Sequence, residues 1–285
     1  MRPAPLPETP PAPVIVPLSE GAASRPEGDW PDRRFEAVTR AELHGFPLAG
    51  RRARALVCAG GGYTRLMHDK EGVEVALWLA GLGIEAHVLV HRLPGAPDGR
   101  GGAHPADVAL ADGMRALDAL AGQGGEAGEA GEAGEEPFFL VGLSSGGHLA
   151  GTLACQDQAP RARGLVIAYA PLNGNHRDHK IPAGKADFAP AEKQAFYDAW
   201  PIGIAARPEA VPATPAFLVY GLADRTVPVE NALRHAQAAA ALGRDLDLHV
   251  FGQAPHGFAL RAAEGGHADW PQMAARWLDR RIAQG

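Results

Sequence analysis

Six short apolar and β-branched runs recur along the chain: Ala53 to Cys58, Ala86 to Val90, Phe138 to Leu143, Leu165 to Tyr169, Phe217 to Tyr220 and Leu248 to Phe251. None shows the polar alternation of a half-solvated strand, so each reads as a strand buried on both faces. Residues of helical period fill the gaps. They are Val73, Val75, Ala76, Leu77, Leu79 and Leu82, then Val108, Met114, Leu117 and Leu120, then Ala232 to Leu242. A last helix is opened by Asp269-Trp270-Pro271, with Asp269 as N-cap and Pro271 in the first turn. Strand and helix in strict alternation call for right-handed crossovers and a mostly parallel central sheet with helices on both faces, an α/β fold. Catalytic groups in such sheets gather beyond the carboxyl ends of the strands.

A chain of 285 residues can bury roughly three quarters of its unfolded surface in one domain without covalent staples. Residues 1–34 are rich in Pro, Gly and charge and carry no period, so they read as an extension that hugs the surface or is partly disordered. Residues 35–285 are expected to form a single α/β domain. A Gly-Glu-Ala triplet repeat within 124–137 reads as a solvated loop insert, too short in period for a solenoid. Two cysteines, Cys58 and Cys155, are too few for a disulfide framework or a thiolate zinc site, and a reducing, cytoplasmic compartment is expected. A formal charge of −6 with no basic run argues against nucleic acid. No stretch approaches the roughly 18 apolar residues of a membrane span, and Val14-Ile15-Val16 is too short for a signal-peptide core.

Gly142-Leu143-Ser144-Ser145-Gly146-Gly147 follows the apolar run Phe138 to Val141 and precedes a helical stretch from His148. This is the strand, tight turn and helix that a nucleophile elbow needs, with glycines two before and two after the serine. With four serines and 36 glycines, chance supplies Gly-x-Ser-x-Gly only about 0.06 times. An ordinary glycine-rich turn is therefore the weaker reading.

A serine hydroxyl needs a base to take its proton and an acid to orient that base. Of twelve histidines, His256 in Pro255-His256-Gly257-Phe258 lies in a loop just after the last strand. Asp224 lies in the loop after the preceding strand, where its plain alternative role is to cap the helix near Pro228. The order Ser144, Asp224, His256 is that of the α/β-hydrolase triad. Ala59-Gly60-Gly61-Gly62-Tyr63 follows the first strand, and its backbone can approach a substrate closely. The oxyanion donors are expected to be Gly61 or Gly62 together with the amide of Ser145. Loss of the Ser145 hydroxyl alone is expected to be mild.

The chain resembles the α/β-hydrolase superfamily and, within it, the xylan-acetylesterase-like branch of carbohydrate esterases. Members of that branch carry a Gly-Gly-Gly-Tyr oxyanion loop, here Gly60 to Tyr63, and an Asp/Glu-Gly start to the first helix, here Asp69-Lys70-Glu71-Gly72. Also matched are His91-Arg92-Leu93, His104-Pro105, the elbow ending Gly146-Gly147-His148, Asp224 before Val227-Pro228-Val229, and His256-Gly257-Phe258. The likeness runs from about Pro17 to Arg281. It departs at Ala59, where the branch more often has Pro, and at the Gly-Glu-Ala insert. The resemblance implies Ser144 as nucleophile, His256 as base, Asp224 as acid, Gly61/Gly62 as oxyanion loop, and removal of acetyl or other small acyl groups from sugars.

Phe188, Phe196, Tyr197 and Trp200 cluster in the long connection 173–210, which reads as a small cap. With Tyr63 they are candidates to line the acyl or sugar pocket, or else they form a mini-core that holds the connection down. His176-Arg177-Asp178-His179 has two histidines at helical spacing but no third ligand, so no metal and no cofactor are expected. His148 is expected to pack within its helix rather than titrate. The reading is a serine esterase acting on short-chain esters of small molecules or oligosaccharides. A peptidase or amide hydrolase with the same triad, a non-catalytic hydrolase-fold binding protein, and a metal-dependent deacetylase are the alternatives.

Overall fold

In a strand buried on both faces, successive side chains feed two different cores, and β3 (Ala53–Cys58) does so: Ala53, Ala55 and Val57 enter one, Leu56 and Cys58 the other. The computed structural model describes residues 4–122, 136–157 and 162–284. Within them, β1 (Val14–Pro17), β2 (Glu42–Phe46), β3, β4 (Ile84–Val90), β5 (Phe138–Leu143), β6 (Gly164–Ala168), β7 (Ala216–Gly221) and β8 (Leu246–Phe251) form one sheet. Their order is β1-β2-β4-β3-β5-β6-β7-β8. Strands β3 to β8 are mutually parallel, while β2 pairs antiparallel with β1 and β4.

The helices are α1 (Glu74–Ala80), α2 (Val108–Gly122), α3 (Ser145–Ala154), α4 (Ala191–Ala199), α5 (Glu230–Ala241) and α6 (Trp270–Ala283). Apolar faces of α1 and α6, with Trp78, Trp270 and Trp277, cover one side of the sheet. Those of α2, α3 and α5, with Leu117, Leu149 and Ala232, cover the other. The Trp277 ring stacks 5.9 Å from Phe217 and Trp78 lies 5.7 Å from Trp270, so truncating either indole of α6 to Ala costs about 3 to 5 kcal/mol.

Strand order reverses between β3 and β5, and at such a switch point the carboxyl-end crevice is open. Cys58 is in register with Gly142, so the glycine loop and the serine turn leave the sheet side by side. Gly221 is in register with Phe251, which does the same for the loops of Asp224 and His256.

One expectation needs correction, one strand was not foreseen, and one helix start is made differently. Val14–Pro17 is not outside the sheet: its β-branched residues pair with β2 as an edge strand, Ile15 opposite His44. Beyond it, Arg33 grips the buried carboxylate of Asp69, and Phe35 is fully buried. β2 itself escaped the apolar pattern because it buries Glu42 and His44, whose polar atoms are met by Arg40, by each other and by His68. Asp269 holds the N-cap position of α6 with Pro271 in the first turn, as expected, but its side chain does not cap the helix. A turn of 3₁₀ helix over Gly266–Asp269 runs into it, Asp269 is itself in the helical region, and its side chain accepts no capping bond. Residues 123–135, most of the Gly-Glu-Ala insert, lie outside the described residues. Glu136 at its end pairs with Arg51 and Arg54.

Candidate active site

The turn after β5 carries Ser144 at φ 50° and ψ −129°, a conformation that costs an L residue about 1 to 3 kcal/mol unless its surroundings impose it. They do. The Ser144 amide donates to the Ala168 carbonyl at 2.9 Å, and its carbonyl accepts from Gly147 at 2.9 Å. A Cβ on Gly146 would overlap the Cys58 carbonyl, and one on Gly142 would overlap the Gly146 carbonyl. The two glycines let α3 start against β3 and β5, and the hydroxyl is lifted clear of the sheet.

Ser144 Oγ lies 3.1 Å from His256 Nε2, and His256 Nδ1 lies 2.7 Å from Asp224 Oδ2. A carboxylate can only accept, so Nδ1 carries the hydrogen and Nε2 is left to accept from the serine. Asp224 is fixed from its other side: Oδ1 accepts the amides of Thr226 and Val227, both at 2.8 Å. α5 has Val229 at its N-cap and no side-chain cap, so Asp224 does not cap that helix; the turn it closes ahead of it aims Oδ2 at the histidine. The Tyr169 ring stands edge-on to the imidazole at 5.1 Å.

The glycine loop is held by two side chains. Gly60 donates to Glu71 Oε2 at 2.9 Å, and Gly62 donates to Ser145 Oγ at 2.8 Å. Among the described residues the amides of Gly61 and Ser145 have no acceptor. This corrects the expectation for Gly62, whose amide is already engaged. Gly61 is the open donor, and its φ of 134° and the adjacent Arg65 carbonyl leave no room for a Cβ. Glu71 is buried, also accepts from the Tyr169 hydroxyl at 3.1 Å, and burial raises its pKa above the ordinary carboxylate value. Burial, with Glu71 beside it, pushes the Tyr169 phenol well up, so it stays a donor.

The aromatic cluster falls on both sides of its two readings. Tyr63, Phe196 and Tyr197 are all buried, with ring centroids 5.2 Å (Tyr63 to Phe196) and 5.5 Å (Tyr63 to Tyr197) apart. They wall the loop from beneath and do not line an open pocket, which corrects their assignment as substrate contacts. Phe188 and Trp200 remain partly exposed. His148 is buried and does more than pack: Tyr63 donates to its Nδ1 at 2.9 Å, and its Nε2 donates to the Trp200 carbonyl at 2.7 Å. Burial lowers its pKa to about 4. His176 accepts the Asp178 amide at 3.2 Å, and among the described residues no group of three or more His, Cys, Asp or Glu is arranged to hold a metal ion.

The model of the prolyl oligopeptidase family matches residues 106–284, more than half of the chain and the whole span from the serine turn to the histidine loop. The chain belongs to the prolyl oligopeptidase family. It is similar to an acetylxylan esterase of Xylanibacter ruminicola, 25% identical over 230 residues, which cover 79% of this chain and 45% of that protein. The chain therefore spans about half the length of the curated relative it matches. Two solved structures share its α/β-hydrolase fold. One is an acetyl ester-xyloside bifunctional hydrolase from Caldicellulosiruptor lactoaceticus (TM-score 0.65, 23% identity, 95% of this chain and 97% of that one). The other is the carboxylesterase Cest-2923 from Lactobacillus plantarum (TM-score 0.64, 21% identity, 94% and 98%). The α/β-hydrolase fold that the motifs imply is the fold these two structures share.

Sequence reasoning on this family member did not find Glu71, Tyr169 or His148 as parts of the site's support. Glu71 stood in the quoted helix-start motif, and an acidic residue followed by Gly within an otherwise apolar stretch was its signal. His148 likewise stood in a quoted motif, at the end of Gly146-Gly147-His148, but was expected only to pack, and Tyr169 offered no signal, because a buried phenol looks like a core residue until its partners are seen.

Proposed function

We propose that this protein is a serine esterase that removes acetyl and other short acyl groups from small-molecule or carbohydrate esters through an acyl-enzyme. The observation that carries the reading is the continuous hydrogen-bond chain Ser144 Oγ, His256 Nε2, His256 Nδ1, Asp224 Oδ2 at 3.1 and 2.7 Å. In the proposed reaction His256 Nε2 takes the hydroxyl proton as Ser144 Oγ attacks the ester carbonyl carbon. Asp224 stabilises the imidazolium without itself taking the proton. The amides of Gly61 and Ser145 receive the carbonyl oxygen as it becomes negative, each worth about 3 kcal/mol in the transition state. The imidazolium protonates the departing alcohol, and water then repeats the sequence against the acyl-serine, with the proton passing to His256 and back to Ser144.

The names of two relatives, an acetylxylan esterase and an acetyl ester-xyloside hydrolase, support the acetyl and carbohydrate parts of the reading. The family description favours a second reading, cleavage of an amide bond by the same three residues. One panel separates them: p-nitrophenyl acetate, butyrate and octanoate, acetylated xylo-oligosaccharides, and a prolyl p-nitroanilide. The proposal expects kcat/KM to fall from acetate to octanoate, with release of acetate from the oligosaccharides. Faster cleavage of the anilide than of any ester would assign the chain to amide hydrolysis.

A further inference from the structure

Of 27 basic residues only four are lysines, Lys70, Lys180, Lys185 and Lys193, and all four collect around the loops of the candidate site. The ammonium groups of Lys180, Lys185 and Lys193 lie 4.8, 4.7 and 4.6 Å from the centroid of one ring, Phe188. Lys193 Nζ also stands 3.9 Å from where a Cβ on Gly62 would be, so it abuts the glycine loop. On the opposite flank, Lys70 Nζ is 3.7 Å from the corresponding point on Gly257, the residue after His256.

The three lysines on Phe188 differ in how they are satisfied. Lys180 donates to Gln194 Oε1 at 2.6 Å and to the Ala186 carbonyl at 3.3 Å, and faces Asp187 at 3.4 Å. Its charge is accounted for within the fold. Lys193 is only 8% exposed, and among the described residues neither it nor Lys185 has a hydrogen-bond or carboxylate partner. Burying an ammonium without a counter-charge is unfavourable. One aromatic face offsets part of that cost, but here three cations share it and repel one another. Burial and the neighbouring Lys185 lower the Lys193 pKa to about 8. Many arginines, by contrast, are held in fixed pairs such as Arg33 with Asp69, Arg92 with Asp112 and Arg261 with Glu74. A lysine is a compact point charge that accepts an anion from many directions.

We propose that Lys193, backed by Lys185, is a subsite for an anionic oxygen group, carboxylate or phosphate, carried by the substrate close to the scissile ester. The missing counter-charge arrives with the substrate. This deepens the esterase reading and rests on it for the position of the ester.

The test uses ester twins that differ by one charge. On the acyl side they are p-nitrophenyl butyrate and mono-p-nitrophenyl succinate; on the alcohol side, phenyl acetate, 4-acetoxybenzoate and 4-acetoxyphenyl phosphate. The readout is the ratio of kcat/KM, anionic over neutral. It is expected to fall by about tenfold in Lys193→Gln, as for loss of one contact to a charged group, by less in Lys185→Gln, and to be retained in Lys193→Arg. The carboxylate and phosphate arms show which anion is meant. An equal loss on neutral and anionic twins, or an unchanged ratio, would overturn the subsite. Calorimetric binding of 4-acetoxybenzoate to Ser144→Ala, with and without Lys193→Gln, tests it apart from turnover, and equal affinities would overturn it too. Weakened binding with no hydrolysis of any ester would sustain the subsite and defeat the esterase reading.

Discussion

The Ser145 hydroxyl accepts the Gly62 amide at 2.8 Å, joining the first residue of α3 to the glycine loop that faces it. The bond fixes how far the loop stands from Ser144, and it removes Gly62 from the set of available donors. Ser145→Ala was expected from sequence to be mild; the bond raises the stake. Losing it frees the loop to shift by a fraction of an ångström, and kcat on p-nitrophenyl acetate is expected to drop about ten- to a hundredfold. KM should change little. A wild-type kcat would mean that the loop is held without this bond.

Ser144→Ala removes only a hydroxyl from a turn whose backbone is held by Ala168, Gly147 and the flanking glycines. Turnover is expected to fall at least about a thousandfold with an unchanged melting temperature. Retained burst kinetics would transfer the nucleophile elsewhere.

Asp224→Asn has a prediction set by geometry. Oδ1 must remain an oxygen, because two amides at 2.8 Å donate to it, so the new NH₂ group faces His256 Nδ1. The imidazole then has to accept there and carry its hydrogen on Nε2, toward Ser144, where it cannot act as base. A loss of about ten-thousandfold in kcat is expected, with the fold intact by circular dichroism.

Glu71 is expected to matter through the loop and not through contact with substrate. Glu71→Ala strips the Gly60 amide and the Tyr169 hydroxyl of their acceptor, and kcat should fall about tenfold or more while KM is held. Glu71→Gln keeps an oxygen for Gly60 and should recover most of the rate. If Glu71→Ala and Glu71→Gln behave alike, the carboxylate acts otherwise than by anchoring Gly60.

Stability should weaken in mild acid. Burial lowers His148 and His235 from 6.5 to about 4 in the folded chain. The unfolded chain therefore binds these protons first: stability is complete above about pH 6.5 and is lost as pH falls toward 4, by on the order of 3 kcal/mol per residue. Urea midpoints from pH 7 to 4.5 measure this. His235→Leu, which replaces an imidazole whose Nδ1 has no partner among the described residues, should flatten part of the slope. An unaltered slope would assign the acid lability to other groups.

The parallel sheet was legible because Ala53–Cys58, apart from Arg54, and Phe138–Leu143 are apolar, and because glycine marks the turns that follow them. The meeting of Ser144, Asp224 and His256 was legible because each follows a recognisable strand. What escaped was written in polar residues. β2 hides Glu42 and His44 in a buried strand, and Glu71 and His148 act through partners 11 and 85 residues away in sequence. No window of periodicity reaches that far. The roles of Tyr63, Phe196 and Tyr197 were undecidable by composition, since a ring that lines a pocket and a ring that floors it read alike.

The His148 bond to the Trp200 carbonyl has a bearing on access. It ties the connection after α4 to the helix that begins at the nucleophile, and Tyr63 ties the same imidazole to the glycine loop. Lifting that connection would break the Nε2 bond and strand a buried ring nitrogen. The connection is therefore expected to stay down through turnover: progress curves should start without a lag, and dispersed and aggregated esters of equal acyl length should be treated alike.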